Sequence, residues 1–259
     1  MCRHNILFNY FIHLIDSLSG RANDPFIHDF SQNILNNKTV YSEFDLIEKY
    51  RSVIYTNDTP LETKDFGAGT KSDHKRGTIG SMAKVASVNA KYGRFLFHLV
   101  RYYQPDRILE LGTAVGISTM YLAWGNPQAR VITVEGNPQL AVTASRNFTL
   151  NGLHNIILIK STFDNAMTQL LSEVTNNTLV FIDGNHTLKA TLQYFEVFGK
   201  KPDSYNIMIF DDINWSHEMM QAWKSITLSA HSGVSVDLFR MGILFQGRGK
   251  NGQKFRLRY

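Results

Sequence analysis

Three aspartates follow two strongly apolar runs in the second half of the sequence. Asp183 comes directly after the run at 178–182, and Asp211 and Asp212 come after the run at 206–210. If both runs are parallel strands of an open sheet, the carboxylates meet at one edge and repel one another unless a cation joins them. Oxygen ligands suit Mg²⁺, Ca²⁺ or Mn²⁺, so the pattern indicates a divalent-cation site. Two simpler interpretations stay open: Asp183 can bind a ligand's ammonium group, and the aspartate pair can cap the next turn or helix.

A histidine lies three residues after the first of these acids. His186 has an unperturbed pKa near 6.5, which suits a general base at neutral pH. We therefore expect His186 and Asp183 to be catalytic. The alternative is that His186 is an ordinary loop or capping residue.

A glycine turn lies earlier in the chain, between two further apolar runs. The run at 107–111 leads to Gly112 and Gly116, and the next run, at 131–134, stops at Glu135. This strand, turn, helix and strand pattern is typical of nucleoside binding in open α/β sheets. The glycines let the backbone approach the ligand, and the final carboxylate can accept hydrogen bonds from both ribose hydroxyls.

The turn differs from the one that binds dinucleotides. Ala114 and Ile117 stand where the second and third glycines of G-x-G-x-x-G belong, and Glu110 precedes the turn. A carboxylate at this point would repel a diphosphate. A cationic ligand without phosphate fits better, and S-adenosylmethionine carries a sulfonium, an ammonium group and a ribose.

The run ELGTAVGIST, Glu110 to Thr119, resembles the first motif of class I S-adenosylmethionine-dependent methyltransferases. It is most similar to the branch of catechol-type O-methyltransferases, and the resemblance covers roughly residues 80–259. It implies O-methylation of a small-molecule hydroxyl with help from a divalent cation such as Mg²⁺. The resemblance implies that these residues bind the cofactor: Glu110, Gly112, Thr113, Gly116, Ser118, Glu135, Thr162, Phe163 and Asp183.

The same resemblance assigns the cation to Asp183, Asp211 and Asp212. The chain departs from the family in having Asp212 where an asparagine is usual, and His186 where a lysine base is usual. A metal-independent methyltransferase acting on another acceptor and a non-catalytic S-adenosylmethionine-binding module therefore stay open. The segment 183–186 lacks the Asn/Asp-Pro-Pro-aromatic run of enzymes that methylate nucleic-acid amines, so we expect no nucleic-acid partner.

Strand-like and helical patterns alternate from residue 107 onward, which predicts an α/β fold. We expect a Rossmann-like, seven-stranded, mostly parallel sheet flanked by helices, with an antiparallel C-terminal hairpin formed by 234–246 and 253–259. A helix is predicted over 81–103. Residues 1–80 are predicted to be an N-terminal helical extension, lying over the cofactor crevice, and residues 81–259 the methyltransferase domain. Strands are expected near 107–111, 130–134, 155–160, 178–182 and 206–210, and helices near 118–125, 138–151, 164–174, 187–199 and 216–230.

The composition of the 259-residue chain limits its function class. Its net charge of +5 permits an anionic partner without requiring one, and a single cysteine excludes an internal disulfide or a cysteine-based zinc site. The apolar stretch at 6–18 contains Asn9, His13 and Asp16 and is too short to span a bilayer. We expect a cytoplasmic protein with no membrane partner. The sequence does not specify the methyl acceptor or the oligomeric state.

Overall fold

A computed structural model describes residues 3–18, 24–62, 77–199, 206–229, 233–247 and 252–259. The chain divides into two units. Residues 36–173 form one, here named the central unit, and residues 1–35 with 174–259 form the other, named the terminal unit. The predicted boundary between residues 80 and 81 stays a prediction.

The described part of the chain is mainly α-helix and β-strand. Its α-helices are α1 (Arg3–Leu18), α2 (Pro25–Phe30), α3 (Ser42–Ile54), α4 (Ile79–Ala86), α5 (Ala90–Tyr103), α6 (Ile117–Gly125), α7 (Pro138–Leu150), α8 (Phe163–Ser172), α9 (Leu188–Phe198) and α10 (His217–Leu228). Its strands are β1 (Arg107–Leu111), β2 (Arg130–Glu135), β3 (Ile156–Lys160), β4 (Thr178–Ile182), β5 (Ile207–Phe210), β6 (Val234–Asp237), β7 (Gly242–Phe245) and β8 (Lys254–Arg256). A π-helical segment, Ser31–Leu35, follows α2.

Three parallel strands of the central unit lie in the order β3-β2-β1. Leu109 pairs with Ile132 and Ile132 pairs with Ile157, so β2 is hydrogen-bonded on both sides. Strands covered by helices on both faces consist of continuous apolar runs, and Ile108, Leu109 and Leu111 are buried accordingly. The predicted strands and the βαβ order are confirmed.

Helices α5 and α6 pack tightly because one residue at their contact has no side chain. A Cβ atom on Gly93 would lie 2.2 Å from Tyr121 Cε2. Helix α3 also packs on α6. At this contact, Tyr121 Oη donates a hydrogen bond to Glu48 Oε1 at 2.9 Å. The first hundred residues are mainly helical, as predicted, within the ranges that the structure describes.

The predicted helix over 81–103 is two helices. Helix α4 ends at Ala86, and α5 begins at Ala90 after an extended Ser87. The Asn89 side chain accepts a hydrogen bond from Tyr92 N at 3.0 Å and so caps the start of α5. An asparagine in this role stabilises a new helix start rather than continuation of the preceding helix.

The strands of the terminal unit lie in the order β4-β5-β7-β6-β8. Strands β4 and β5 are parallel, and β7 pairs antiparallel with both β5 and β6. The mixed sheet with antiparallel C-terminal strands confirms the predicted fold class. None of the helices in the described part of the chain is long and apolar enough to cross a membrane.

The C-terminal hairpin differs from the prediction in its position and in the number of strands. The run at 234–246 is not one strand but forms β6 and β7, joined by a turn at 238–241, while β8 pairs parallel with β6. The described residues therefore contain eight strands instead of the expected seven. The turn is stabilised by Asp237, whose Oδ1 accepts a hydrogen bond from Phe239 N at 2.8 Å, and Phe239 has a positive φ of 69°. Residues 248–251 of the predicted turn lie outside the described residues.

Candidate active site

The glycine turn of the central unit requires backbone conformations that glycine favours. Gly112 has φ 110°, Ala114 has φ 46° and Gly116 has φ 89°. At Gly116 a Cβ atom would also lie 2.5 Å from Phe148 Cε1. Both conformation and packing therefore explain the glycine that opens α6.

Glu110 is a fully buried carboxylate directly before this turn. Its Oε2 accepts hydrogen bonds from Thr119 Oγ1 at 2.5 Å and from Thr133 Oγ1 at 2.7 Å. Its Oε1 is buried and has no hydrogen-bond partner among the described residues. Burial raises the pKa of Glu110, the hydroxyls of Thr119, Thr133 and Ser118 oppose this rise, and the charge of Glu135 adds to it. A buried acceptor without a partner fits a ligand that brings a cationic donor.

Glu135 connects the end of β2 to the turn. Its Oε2 accepts a hydrogen bond from Ala114 N at 2.8 Å, and its Oε1 accepts one from Asn137 N at 2.8 Å. Burial raises the pKa of Glu135, and these backbone donors oppose this rise. Each carboxylate oxygen has a second lone pair, so Glu135 keeps the capacity to accept the predicted hydrogen bonds from ribose hydroxyls. That assignment stays a prediction.

The other predicted cofactor residues of the central unit lie in the turn after β1, in the first turn of α6 and at the start of α8. Thr113 Oγ1 is 2.5 Å from Thr133 Oγ1, and Ser118 is buried in the first turn of α6. Thr162 caps α8 by accepting a hydrogen bond from Asn165 N at 3.4 Å. Phe163 is the first residue of that helix. The central unit thus holds every predicted cofactor residue except Asp183.

Tyr50 contacts the turn and was missed by the sequence reasoning. It lies on α3, and its Oη donates a hydrogen bond to Val115 O at 2.8 Å. Burial raises the pKa of this phenol, which keeps it protonated as a donor. The first hundred residues contain no motif, so no sequence signal connects Tyr50 with the turn 65 positions later.

In the terminal unit, Asp183 and His186 lie together at the end of β4. His186 Nε2 is 3.6 Å from Asp183 Oδ1, and both side chains are largely buried. Burial lowers the pKa of His186; the charge of Asp211 raises it and that of Arg240 lowers it further. Asn185, which has φ 52°, donates a hydrogen bond through Nδ2 to Tyr194 Oη at 2.8 Å. The arrangement favours a neutral imidazole next to a carboxylate, as a general base requires.

Asp211 and Asp212, which follow β5, lie next to Arg240. Arg240 Nε donates to Asp211 Oδ1 at 3.0 Å and Nη2 donates to Asp211 Oδ2 at 2.8 Å. Asp212 Oδ1 lies 3.6 Å from the same Nε. Burial and the charge of Asp211 raise the pKa of Asp212 to about 7, although Arg240 lowers it. Asp211 itself has no exposed surface.

These residues do not fit the predicted divalent-cation site. Arg240 engages both carboxylate oxygens of Asp211. The ranges that the structure describes contain no group of three or more His, Cys, Asp or Glu side chains that could hold a metal ion. The structure therefore does not support a cation shared by Asp183, Asp211 and Asp212, because the Arg240 guanidinium is hydrogen-bonded to Asp211 and lies 3.6 Å from Asp212.

Comparisons with known proteins agree with this fold. Residues 109–213 match a family model described as a methyltransferase domain. The chain has the class I methyltransferase fold. An O-methyltransferase from Bacillus cereus, solved in complex with S-adenosylhomocysteine, is similar to it with a TM-score of 0.56 and 18% identity. The similarity covers 85% of this chain and 96% of that chain. A methyltransferase from Podospora anserina, bound to S-adenosylhomocysteine, has a TM-score of 0.59 and 14% identity, covering 88% and 97%.

Two curated relatives that match part of this chain are catechol O-methyltransferases. The chain is 43% identical over 68 residues to a catechol O-methyltransferase from Mycobacterium tuberculosis, over 26% of this chain. The chain spans 31% and 34% of the lengths of the curated catechol O-methyltransferases it matches. The comparisons thus show a methyltransferase fold and a methyltransferase-domain match over residues 109–213, and they agree with the resemblance carried by the glycine-turn motif.

Proposed function

We propose that this chain transfers a methyl group from S-adenosylmethionine to a hydroxyl oxygen of a small molecule. The observation that carries the proposal is the carboxylate of Glu110, which is fully buried and leaves Oε1 without a partner among the described residues. A buried carboxylate beside a nucleoside-binding turn suits a ligand that brings its own positive charge. The match of residues 109–213 to a methyltransferase domain supports the same ligand, and so do the structures of similar fold that bind S-adenosylhomocysteine, the product left when the donor gives up its methyl group.

The central unit supplies the groups for the donor. Glu110 would balance the positive charge of the methionine end, and Ser118 with the first backbone amides of α6 would bind its carboxylate. Glu135 would accept hydrogen bonds from the ribose hydroxyls, while its bond from Ala114 N holds the turn in place. When bound, the donor supplies a methyl group on a positively charged sulfur, which is already a strong electrophile.

The terminal unit supplies the candidate base. The acceptor oxygen forms a bond to the methyl carbon, the carbon–sulfur bond breaks, and the hydroxyl proton must leave. His186 would take this proton on Nδ1, and its Nε2 lies 3.6 Å from Asp183 Oδ1. Asp183 would orient the imidazole and stabilise the imidazolium that forms. This scheme contains no metal step.

Cofactor binding tests the donor half of the proposal. We expect isothermal titration to show that Glu110→Gln binds S-adenosylmethionine roughly 10–100-fold more weakly than wild type, because a charge-assisted contact is lost. Glu173→Gln is the control, since Glu173 pairs with Arg107 and Arg130 away from the turn. S-adenosylhomocysteine keeps the ammonium group but lacks the sulfonium charge. An equal loss with both ligands would identify the ammonium group as the partner of Glu110, and unchanged binding of both would refute its role.

Product analysis tests the acceptor half. A panel of phenols, catechols, sugar alcohols and amines, followed by mass spectrometry, should show O-methyl products. His186→Gln should lower kcat by about 10²–10⁴ without changing donor affinity, whereas the exposed His154→Gln should change neither. Donor binding without transfer to any acceptor would favour the alternative of a binding module. Methylated amines would favour a different acceptor class.

A further inference from the structure

A guanidinium is built into the acidic cluster at the end of β5. Arg240 makes two parallel hydrogen bonds to Asp211, at 3.0 and 2.8 Å, and its Nε is 3.6 Å from Asp212 Oδ1. Paired bonds of this kind are the strong form of an arginine–carboxylate contact. Asp183 also acts on the Arg240 charge electrostatically.

Burial makes this pairing necessary for the fold. The Asp211 side chain has no exposed surface, while Arg240 keeps about a third of its side-chain surface exposed, at 30%. A buried carboxylate without a partner is strongly destabilising, so a cation beside Asp211 stabilises the fold. Arg240 supplies that cation from within the chain.

The backbone fixes the position of the guanidinium. Ile213 N donates to Arg240 O at 3.0 Å, and Asn214 Nδ2 donates to Phe239 O at 2.6 Å. The turn that carries Arg240 is therefore hydrogen-bonded to the segment that carries both acids. Arg240 is a fixed part of this cluster and not a surface side chain that happens to lie nearby.

We propose that Arg240 is the resident cation of this cluster, taking the place that the sequence resemblance assigns to a divalent metal ion. Mg²⁺ binds carboxylate oxygens at about 2.0–2.1 Å in octahedral geometry, and the Asp211 oxygens already accept the guanidinium protons. A second cation would also be repelled by the arginine charge. Arg240 is thus a positioning residue that holds Asp211 and Asp212 near the Asp183–His186 pair. The consequence for catalysis is that methyl transfer needs no added metal, and this consequence rests on the proposed function.

Manganese binding tests the proposal independently of activity. Full-length protein freed of metal by chelator is titrated with Mn²⁺, and the free ion is followed by electron paramagnetic resonance. We expect the wild type to bind no Mn²⁺ at this cluster. Arg240→Gln keeps part of the stem and removes the charge, so its Mn²⁺ affinity should lie at least roughly tenfold above the upper limit that the wild-type titration sets. A purely structural role for Arg240 predicts no such gain.

Two further variants serve as controls. Arg107→Ala removes an arginine of similar exposure that pairs with Glu173, and it should leave Mn²⁺ binding unchanged. Arg240→Lys keeps the positive charge and should still exclude Mn²⁺. If Arg240→Gln fails to fold, the comparison of wild type with Asp211→Asn replaces it. Stoichiometric Mn²⁺ binding to wild type that Asp211→Asn abolishes would overturn the proposal, and so would a folded Arg240→Gln that gains no affinity.

Activity provides the second measurement. Methyl transfer by wild type should be the same with EDTA as with added Mg²⁺, and a loss in EDTA that Mg²⁺ restores would overturn the proposal. If no acceptor is methylated under either condition, the proposed function fails instead. The Mn²⁺ titration then still decides the role of Arg240.

Discussion

Replacing Gly116 by alanine tests whether the turn is fixed by both backbone conformation and packing. At φ 89° an L-residue costs about 1–2 kcal/mol relative to glycine. The added Cβ would lie 2.5 Å from Phe148 Cε1 and 3.3 Å from Ala144 Cβ, and overpacking of this kind typically costs about 1–3 kcal/mol. We therefore expect Gly116→Ala to lower the free energy of unfolding by about 2–5 kcal/mol.

Gly152 offers a matched control in the same unit. It also has a positive φ, 65°, but a Cβ atom there would approach only His154 Nε2, at 4.0 Å. Gly152→Ala should therefore lose only the conformational part, about 1–2 kcal/mol. Urea unfolding followed by tryptophan fluorescence gives both free energies by linear extrapolation.

The Phe148 ring is the neighbour that distinguishes the two glycines. In a Phe148→Leu background, which lacks the ring atoms next to Gly116, the additional loss caused by Gly116→Ala should shrink toward that of Gly152→Ala. If the two alanine variants lose the same free energy within about 0.5 kcal/mol in the wild-type background, close packing does not explain this glycine.

Two further predictions concern the core of the central unit. Tyr121→Phe removes the hydrogen bond to Glu48 and should lower the free energy of unfolding by about 1 kcal/mol. A double-mutant cycle with Glu48→Gln, measured by thermal unfolding, should attribute this loss to the pair. Strictly additive effects of the two substitutions would contradict this prediction. The pKa of Glu110 is raised in the folded protein. At pH values above its ordinary pKa of 4.5, the folded state therefore binds more protons than the unfolded chain. The contribution of Glu110 to stability falls as pH rises through the folded pKa. Glu110→Gln cannot titrate, so its stability relative to wild type should increase with pH across that window. A difference that does not change with pH in urea unfolding would refute this assignment.

Most strands could be predicted because their apolar runs are short and end at polar residues. The apolar runs that form β1, β2, β4 and β5 are buried on both faces. Such runs can be recognised without knowing which strands they pair with. The glycine turn could be predicted because positive φ values restrict residue type. The break between α4 and α5 could not, since the apolar spacing of Val85, Val88 and Tyr92 continues across it, and the bond of Asn89 to Tyr92 N shows the cap.

The acidic cluster shows what a local pattern leaves out. Asp183, Asp211 and Asp212 were visible as acids that end strands, but their cation was not. Arg240 lies in a turn without the usual glycine, asparagine or proline pair, so the run at 234–246 was interpreted as one strand. Asp237 and Arg240, two charged residues three positions apart within an apolar run, were the available signal for that turn.

The pairing of β5 with β7 determines which residue meets the buried acid. Phe210 pairs with Gly242, so the antiparallel register brings Arg240 to the position across from Asp212. A shift of one residue would bring Phe239 or Met241 there and leave Asp211 buried beside an apolar side chain. The free-energy penalty of that unpaired carboxylate therefore disfavours a shifted pairing of β5 with β7. The same ion pair that balances charge in the folded protein selects the correct strand alignment as the sheet forms.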